Sequence, residues 1–280
     1  MHHSITANEY RDFRSFLESA TGITLGENKH YLVMSRLQQL LEERGLANIR
    51  ELLINLRCDQ RGELHNRVIE AMTTNETLWF RDTHPYAILK NLILPQLASL
   101  GTRRVIIWSA ACSTGQEPYS ISMTVEEFLD NHPGAFSRGV AILASDISPR
   151  ILEEARLAIY DISGITRGLS EDRRRRFTLP ITTKTGPAWE IHPKIRSRVT
   201  FREVNLNQPF TGIGRFDIIF CRNVLIYFSA ELRQNIIKRL SSALNPKGWL
   251  MLGASESIAG LADNFEMVHA ERSIVYRLKK

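Results

Sequence analysis

Four apolar runs constrain this chain more than any other feature: Arg104-Val105-Ile106-Ile107-Trp108, Val140-Ala141-Ile142-Leu143-Ala144 continuing to Asp146, Phe216-Asp217-Ile218-Ile219-Phe220, and Trp249-Leu250-Met251-Leu252-Gly253. A strand with one face in water alternates apolar and polar residues. A run that is apolar at nearly every position is covered on both faces, as parallel strands are when helices flank the sheet. Helix-like segments at 117–130, 149–158 and 229–243 fall between the runs, which is the rhythm of βαβ units. Met267-Val268 and Ile274-Val275-Tyr276 read as a closing hairpin. The rhythm breaks between about 170 and 203, where Arg173-Arg174-Arg175-Arg176, Pro180, Pro187, Trp189 and Pro193 are followed by alternation through Val199, Phe201 and Val204. This stretch is expected to be a small, partly antiparallel β-insertion.

The first seventy residues carry a different pattern. Thr6 and Glu9 have capping-box spacing. Tyr10, Phe13, Phe16, Leu17 and Ala20 then recur at helical intervals, as do Val33, Leu37, Leu40 and Leu41, then Leu52, Leu53 and Leu56, then Leu64, Val68 and Met72. The expected organisation is a helical N-terminal domain (1–72), a linker (73–87) and an α/β domain (88–280) with the insertion at 170–203. At 43% hydrophobic residues there is material for both cores. No apolar run approaches the roughly 20 residues of a membrane span, so membrane insertion is not expected. The start Met-His-His-Ser, with no apolar core after it, argues against secretion; whether His2 and His3 are native is left open. Cys58, Cys112 and Cys221 are too few and too scattered for a disulfide framework and suit a reducing cytoplasm. There is neither a CxxC pair nor an HExxH, so no metal is expected. The net charge of +6 favours acidic partners without choosing among nucleic acid, lipid and protein. The arginine block reads equally as a solvated helix face.

Chemistry-bearing residues gather where runs end. Ser109-Ala110-Ala111-Cys112-Ser113-Thr114-Gly115-Gln116-Glu117-Pro118 follows the first run and opens a helix, with small residues that admit a ligand close to the backbone. In a doubly wound sheet, ligands sit at such carboxyl ends. The glycines do not match GxGxxG, and Glu117 puts negative charge where a pyrophosphate would want none; a cationic sulfonium would tolerate it. An ordinary tight turn is the competing reading. Asp146 ends the second run, placed either to accept hydrogen bonds from ribose hydroxyls or to cap the helix after Ile147-Ser148-Pro149. Phe220-Cys221-Arg222-Asn223-Val224-Leu225-Ile226-Tyr227-Phe228 closes the third run with polar groups facing the crevice; Tyr227 and Phe228 read either as core or, for Tyr227, as a hydroxyl turned into the site. Thr73-Thr74-Asn75-Glu76-Thr77-Leu78-Trp79-Phe80-Arg81-Asp82 is too polar and aromatic for a plain linker. Arg81 could hold a carboxylate with its planar fork, or simply touch Asp82 at the surface.

These segments, in this order, resemble the CheR family of chemotaxis receptor methyltransferases. The resemblance runs through Thr73–Asp82, Trp108–Met123, Ala144–Ser148, Asn205-Leu206, Phe220–Phe228 and Gly253–Ser257. It implies a Rossmann-like S-adenosylmethionine (AdoMet) dependent methyltransferase domain with an inserted antiparallel β-subdomain, behind a small all-helical domain. It implies cofactor contacts from Asn75, Thr77, Arg81, Glu117, Asp146, Asn205, Leu206, Arg222 and Asn223, with Arg81 and Tyr227 at the reacting centre. The implied substrate is a glutamate on the cytoplasmic helical bundle of a chemoreceptor, giving a methyl ester and S-adenosylhomocysteine. The implied location is the cytoplasm, with recruitment to membrane-associated receptor arrays. Some members bind a receptor C-terminal peptide through the β-subdomain; the residues here do not decide that point. In the enteric members the helix matching 28–44 is richer in arginine. Here Gln38 and Gln39 intervene, leaving Lys29, Arg36 and Arg44 as cations, so a grip on an acidic bundle would be weaker or shifted. The rival readings are a nucleic-acid methyltransferase, a non-catalytic AdoMet-binding scaffold on receptor arrays and a nicotinamide dehydrogenase. The first lacks the proline-aromatic signature of base methylation after the third run, and the last lacks its phosphate loop. No nucleic-acid partner is expected.

Overall fold

A computed structural model describes residues 5–58, 62–101, 103–258, 260, 263–271 and 273–279; His2 and His3 lie outside them. The helical part comprises α1 (Ala7–Thr21), α2 (His30–Arg44), α3 (Ile49–Cys58) and α4 (Glu63–Met72). Thr6 and Glu9 form the reciprocal capping box: the Glu9 N–H donates to Thr6 Oγ1 (3.3 Å) and the Thr6 N–H to Glu9 Oε2 (2.9 Å). Gly22 and Gly45 end α1 and α2 at φ +80° and +64°, where a side chain is disfavoured. The apolar positions read as helical stripes meet in one buried cluster around Phe13, Leu17, Leu37, Leu41, Leu52 and Val68.

The α/β part begins with α5 (His84–Ile88), which passes through a π-helical turn (Leu89–Ile93) into α6 (Leu94–Ser99). Then come β1 (Val105–Ala110), α7 (Gln116–Asn131), β2 (Val140–Asp146), α8 (Pro149–Leu157), β3 (Ile159–Asp161), α9 (Ile162–Thr166), α10 (Glu171–Phe177), β4 (Thr178–Thr183), β5 (Gly186–Ile191), α11 (Pro193–Arg196), β6 (Val199–Glu203), β7 (Phe216–Cys221), a 3₁₀ turn (Leu225–Tyr227), α12 (Ala230–Ala243), β8 (Leu244–Leu252), β9 (Phe265–Ala270) and β10 (Ser273–Leu278). The main sheet has the order β6-β2-β1-β7-β8-β10-β9. β1, β2, β6, β7 and β8 are parallel, and the β9–β10 hairpin closes one edge antiparallel. One apolar cluster covers each face of the sheet, which is why the four runs are apolar at nearly every position. Strand order reverses at β1, with β2 on one side and β7 on the other, so the crevice opens at their carboxyl ends.

The insertion differs from the span 170–203. The second sheet, β3-β5-β4, is antiparallel and takes in Ile159–Asp161. Val199–Glu203 leaves it and pairs parallel with β2 at the edge of the main sheet. An edge strand is half exposed, so its alternation matches that of an antiparallel ribbon, and only pairing separates the two. The arginine block lies on α10 and is spent internally: Arg173 pairs with Glu127, Arg174 and Arg175 with Glu171, and Arg176 with Asp130.

Candidate active site

The crevice is a cleft of about 930 Å³, counting its open mouth, within the range of small-molecule sites. All ten residues singled out from the sequence line it: Asn75, Thr77, Arg81, Glu117, Asp146, Asn205, Leu206, Arg222, Asn223 and Tyr227. They are unequal in what they have left to offer a guest.

Asp146 is buried at the end of β2. Its Oδ2 accepts the Ser113 N–H (2.9 Å) and its Oδ1 the Ser148 N–H (3.2 Å). Burial pushes its carboxyl above the usual range, opposed by these amides. It does not cap α8; Ser148 does, accepting from the Ile151 N–H. Asp146 lines the cleft. Ser113 also donates its hydroxyl to the Asn75 carbonyl (2.8 Å), so one residue links the loop after β1, the linker and Asp146. Gly115, at φ +96°, serves packing rather than ligand approach. A Cβ there would meet Tyr160 Oη at 3.0 Å and Ala155 Cβ at 3.2 Å.

Arg222 is the electrostatic keystone, with a side chain 1% exposed. It donates to Glu117 Oε2 (3.0 Å), Asp82 Oδ2 (2.7 Å) and the Arg81 carbonyl (2.9 Å). Glu117 Oε1 accepts from the Ser109 hydroxyl (2.8 Å). Burial is the largest influence on Glu117 and pushes its carboxyl up, while Arg222 pulls it back. Burial alone would lower Arg222, but Glu117, Tyr86 and Asp82 together hold it above its ordinary value. Asp82 is thus the partner of Arg222, and the Arg81–Asp82 surface contact does not form. Arg81 spends one long contact, 3.3 Å, on the Glu76 carbonyl.

The linker is wedged rather than slack. Trp79 is fully buried and its Nε1–H donates to the Gly164 carbonyl (2.8 Å). The Phe80 N–H donates to Ser120 Oγ (3.1 Å), and the Arg173 guanidinium lies 3.6 Å from the Phe80 ring centre. Phe80, Asp82 and Thr83 all have positive φ, at 50°, 66° and 48°. Such strain persists only where surroundings over-determine it, and here it flanks Arg81. Ala111 (59°), Ser113 (51°) and Asn223 (58°) repeat the feature on the other cleft loops.

The helical domain supplies a wall that the sequence did not mark: Thr21 and Ile23 line the cleft. The Thr24 N–H donates to the Tyr227 carbonyl (2.9 Å). Asn205 turns its amide away from the cleft, donating to the Ala20 carbonyl (2.8 Å) and accepting the Asn207 N–H (2.9 Å). The Leu206 carbonyl accepts from Arg239 (2.7 Å). Of the α2 cations, Arg36 points inward, donating to the carbonyls of Met72 (2.7 Å) and Thr73 (3.1 Å) and to Thr74 Oγ1 (3.0 Å). Arg44 pairs with Glu63 (2.6 Å). Tyr227 is half-buried, and its hydroxyl makes no hydrogen bond among the described residues.

With this geometry in view, two family models account for the chain: "CheR methyltransferase, all-alpha domain" matches residues 8–73 and "CheR methyltransferase, SAM binding domain" matches 75–274. The chain belongs to the CheR methyltransferase family. Chemotaxis protein methyltransferase Cher2 of Pseudomonas putida is 47% identical over 273 residues, 97% of this chain and 98% of the relative. Chemotaxis protein methyltransferase 1 of Pseudomonas aeruginosa is 47% identical over 272 residues (97% and 98%), and the chemotaxis protein methyltransferase of Vibrio parahaemolyticus 46% identical over 276 (99% and 98%). As a CheR methyltransferase the chain uses AdoMet as its methyl donor. Its residues fit that cofactor. Glu76, Glu117 and Asp146 outweigh Arg81 and Arg222 along the lining, so the cleft favours a cation. Asp146 keeps acceptor capacity at the strand end where a ribose belongs. Among the described residues no helix is long and apolar enough to cross a membrane.

Glu256 is the residue that the sequence reading passed over. It lies in the matched segment Gly253–Ser257 but carries no recognisable motif of its own. Three of its four backbone partners lie 31–33 positions away, which no local pattern reveals.

Proposed function

We propose that this CheR methyltransferase transfers the AdoMet methyl group to glutamate side chains on the cytoplasmic helices of chemoreceptors, forming glutamyl methyl esters. The observation that carries the reading is the contrast within the cleft. Arg222 is engaged by Glu117 and Asp82, while the Arg81 guanidinium and Tyr227 hydroxyl keep donors to spare. Two such donors suit an acceptor that is itself an ionised carboxylate at neutral pH. The chemotaxis names of the relatives support the same substrate class.

In this reading Asp146 holds ribose hydroxyls, and Asn75, Thr77, Leu206 and Asn223 form the remaining cofactor walls. Glu117 and Arg222 set the field and brace the linker. Asn205 serves the cofactor through its backbone, since its amide is bound to Ala20. The cofactor supplies an electrophilic methyl group on a sulfonium. Arg81 aims one carboxylate oxygen and Tyr227 donates to the other. Their contribution is orientation, which lowers a barrier by several and at most ~10 kcal/mol. Arg81 aims rather than neutralises, because a fully paired carboxylate is a poor nucleophile. Residues 1–72 act as a docking domain, 73–87 as the linker that carries Arg81, and 88–280 as the catalytic domain. The enzyme works in the cytoplasm at receptor arrays.

The test is transfer of labelled methyl from AdoMet to receptor-containing membranes, followed by mild base. Base-labile label on the receptor is the expected result. Label that resists base, or label taken up by RNA or DNA in place of receptor, would overturn the carboxylate assignment.

A further inference from the structure

The Glu256 carboxylate accepts four backbone N–H groups: those of Asn223 (2.7 Å) and Gly253 (2.7 Å) on Oε2, and those of Val224 (2.9 Å) and Leu225 (2.8 Å) on Oε1. Four convergent amides form a nest of the sort that commonly receives an anionic ligand. Here the protein fills it with its own carboxylate. The fit leaves no slack. A Cβ on Gly253 would meet Glu256 Oε2 at 2.7 Å and the Asn223 N at 2.9 Å. Asn223 stands at φ +58°, which asparagine tolerates better than other side-chain residues.

The segment held this way is the loop that leaves β7. Arg222 precedes the nest and binds Glu117 and Asp82. The amides of Val224 and Leu225 open the 3₁₀ turn that ends at Tyr227, whose carbonyl receives Thr24. Glu256 therefore caps the turn carrying Tyr227, while Glu256 itself is absent from the cleft lining. A charge-assisted acceptor is worth roughly twice a neutral one, and four amides on one carboxylate leave the turn few alternative positions.

We infer that Glu256 is a positioning residue for methyl transfer: acting through the backbone, it sets where the Tyr227 hydroxyl meets the acceptor carboxylate. The inference rests on the role given to Tyr227 above. In E256Q one oxygen becomes an NH₂ facing two N–H donors, so the turn must shift. A displacement near 1 Å costs on the order of a hundredfold in rate. Four enzymes are compared for kcat, receptor KM, AdoMet affinity and folded fraction: wild type, E256Q, Y227F and E256Q/Y227F. E256Q is expected to lose about tenfold to a hundredfold in kcat per folded molecule, with receptor KM within about threefold of wild type. The double variant is expected to be about as slow as the slower single variant, because both changes remove one function. A full E256Q kcat per folded molecule would overturn the inference. So would an E256Q loss that persists undiminished in the Y227F background, and that result leaves the Tyr227 assignment standing. Y227F at wild-type kcat sinks the Tyr227 assignment itself. If E256Q does not fold, E256D, which keeps the charge one methylene short, is read in the same cycle and is expected to fall between E256Q and wild type.

Discussion

Replacing Arg222 by methionine removes the one guanidinium bound to Glu117 among the described residues while keeping most of the buried volume. In the native protein the Arg222 side chain is 1% exposed and that of Glu117 11%. The variant therefore leaves a carboxylate without its counter-charge in the interior, a change that costs roughly 3–5 kcal/mol. Asp82, at 37% side-chain exposure, is wet enough to add little. The sign with pH follows from linkage. Burial already raises the Glu117 carboxyl with Arg222 present, and Arg222 opposes that rise. Without Arg222 the folded protein binds this proton still more tightly than the unfolded chain does. A group of that kind loses stability as pH climbs from the unfolded carboxyl value toward the folded one, and the full loss stands above it. The destabilisation of R222M relative to wild type should therefore be larger at pH 8 than at pH 5, by at least ~1 kcal/mol. Urea unfolding at both pH values, followed by far-UV circular dichroism, measures it. The double variant E117Q/R222M should recover much of the loss, since neither partner is left charged. Equal losses at the two pH values, or a double variant no more stable than R222M, would refute the reasoning.

Asp146→Asn should weaken AdoMet about tenfold or more by calorimetry, since hydrogen bonds to a charged group contribute about 1.5–3 kcal/mol; unchanged affinity would leave Asp146 as a loop anchor for Ser113 alone. Arg36→Met should cost about 2 kcal/mol in urea unfolding and loosen AdoMet several-fold, because it frees the carbonyls of Met72 and Thr73 at the start of the cleft wall. Receptor binding should change less than AdoMet binding, which a pull-down on receptor fragments would read. Gly168→Ala should destabilise by about 2 kcal/mol or more, since φ is +95° and the new Cβ would lie 2.2 Å from the Trp79 carbonyl oxygen; a thermal midpoint within a degree of wild type would contradict it.

Much of the site was legible because it sits where strand runs stop. Asp146 ends β2, Arg222 and Asn223 follow β7 directly, and Glu117 stands in the first turn of the helix that the loop after β1 opens. Their convergence needs only the switch of strand order at β1. What each carboxylate and guanidinium does with its charge was not legible. Arg81 and Asp82 are neighbours in sequence, yet Arg222, 140 positions on, takes Asp82. The arginine block reads equally as a solvated helix face, and only the fold sets Glu127 and Asp130, on α7, against it. Val199–Glu203 carried the alternation of a ribbon and joined the main sheet instead.

Periodicity is a local property, so the chain by itself determined the helical domain, the parallel strands, the cap of α1 and the identity of the cleft loops. The tertiary structure decided the pairings that cross long separations: the Glu256 nest, the Arg222 clamp, the Arg36 brace and the seam joining Ser19–Thr24 to Asn205, Asn207 and Tyr227. A hydrogen bond or ion pair depends on distances of a few ångströms between atoms. Those distances exist only once the sheet has been laid down and both apolar faces are covered.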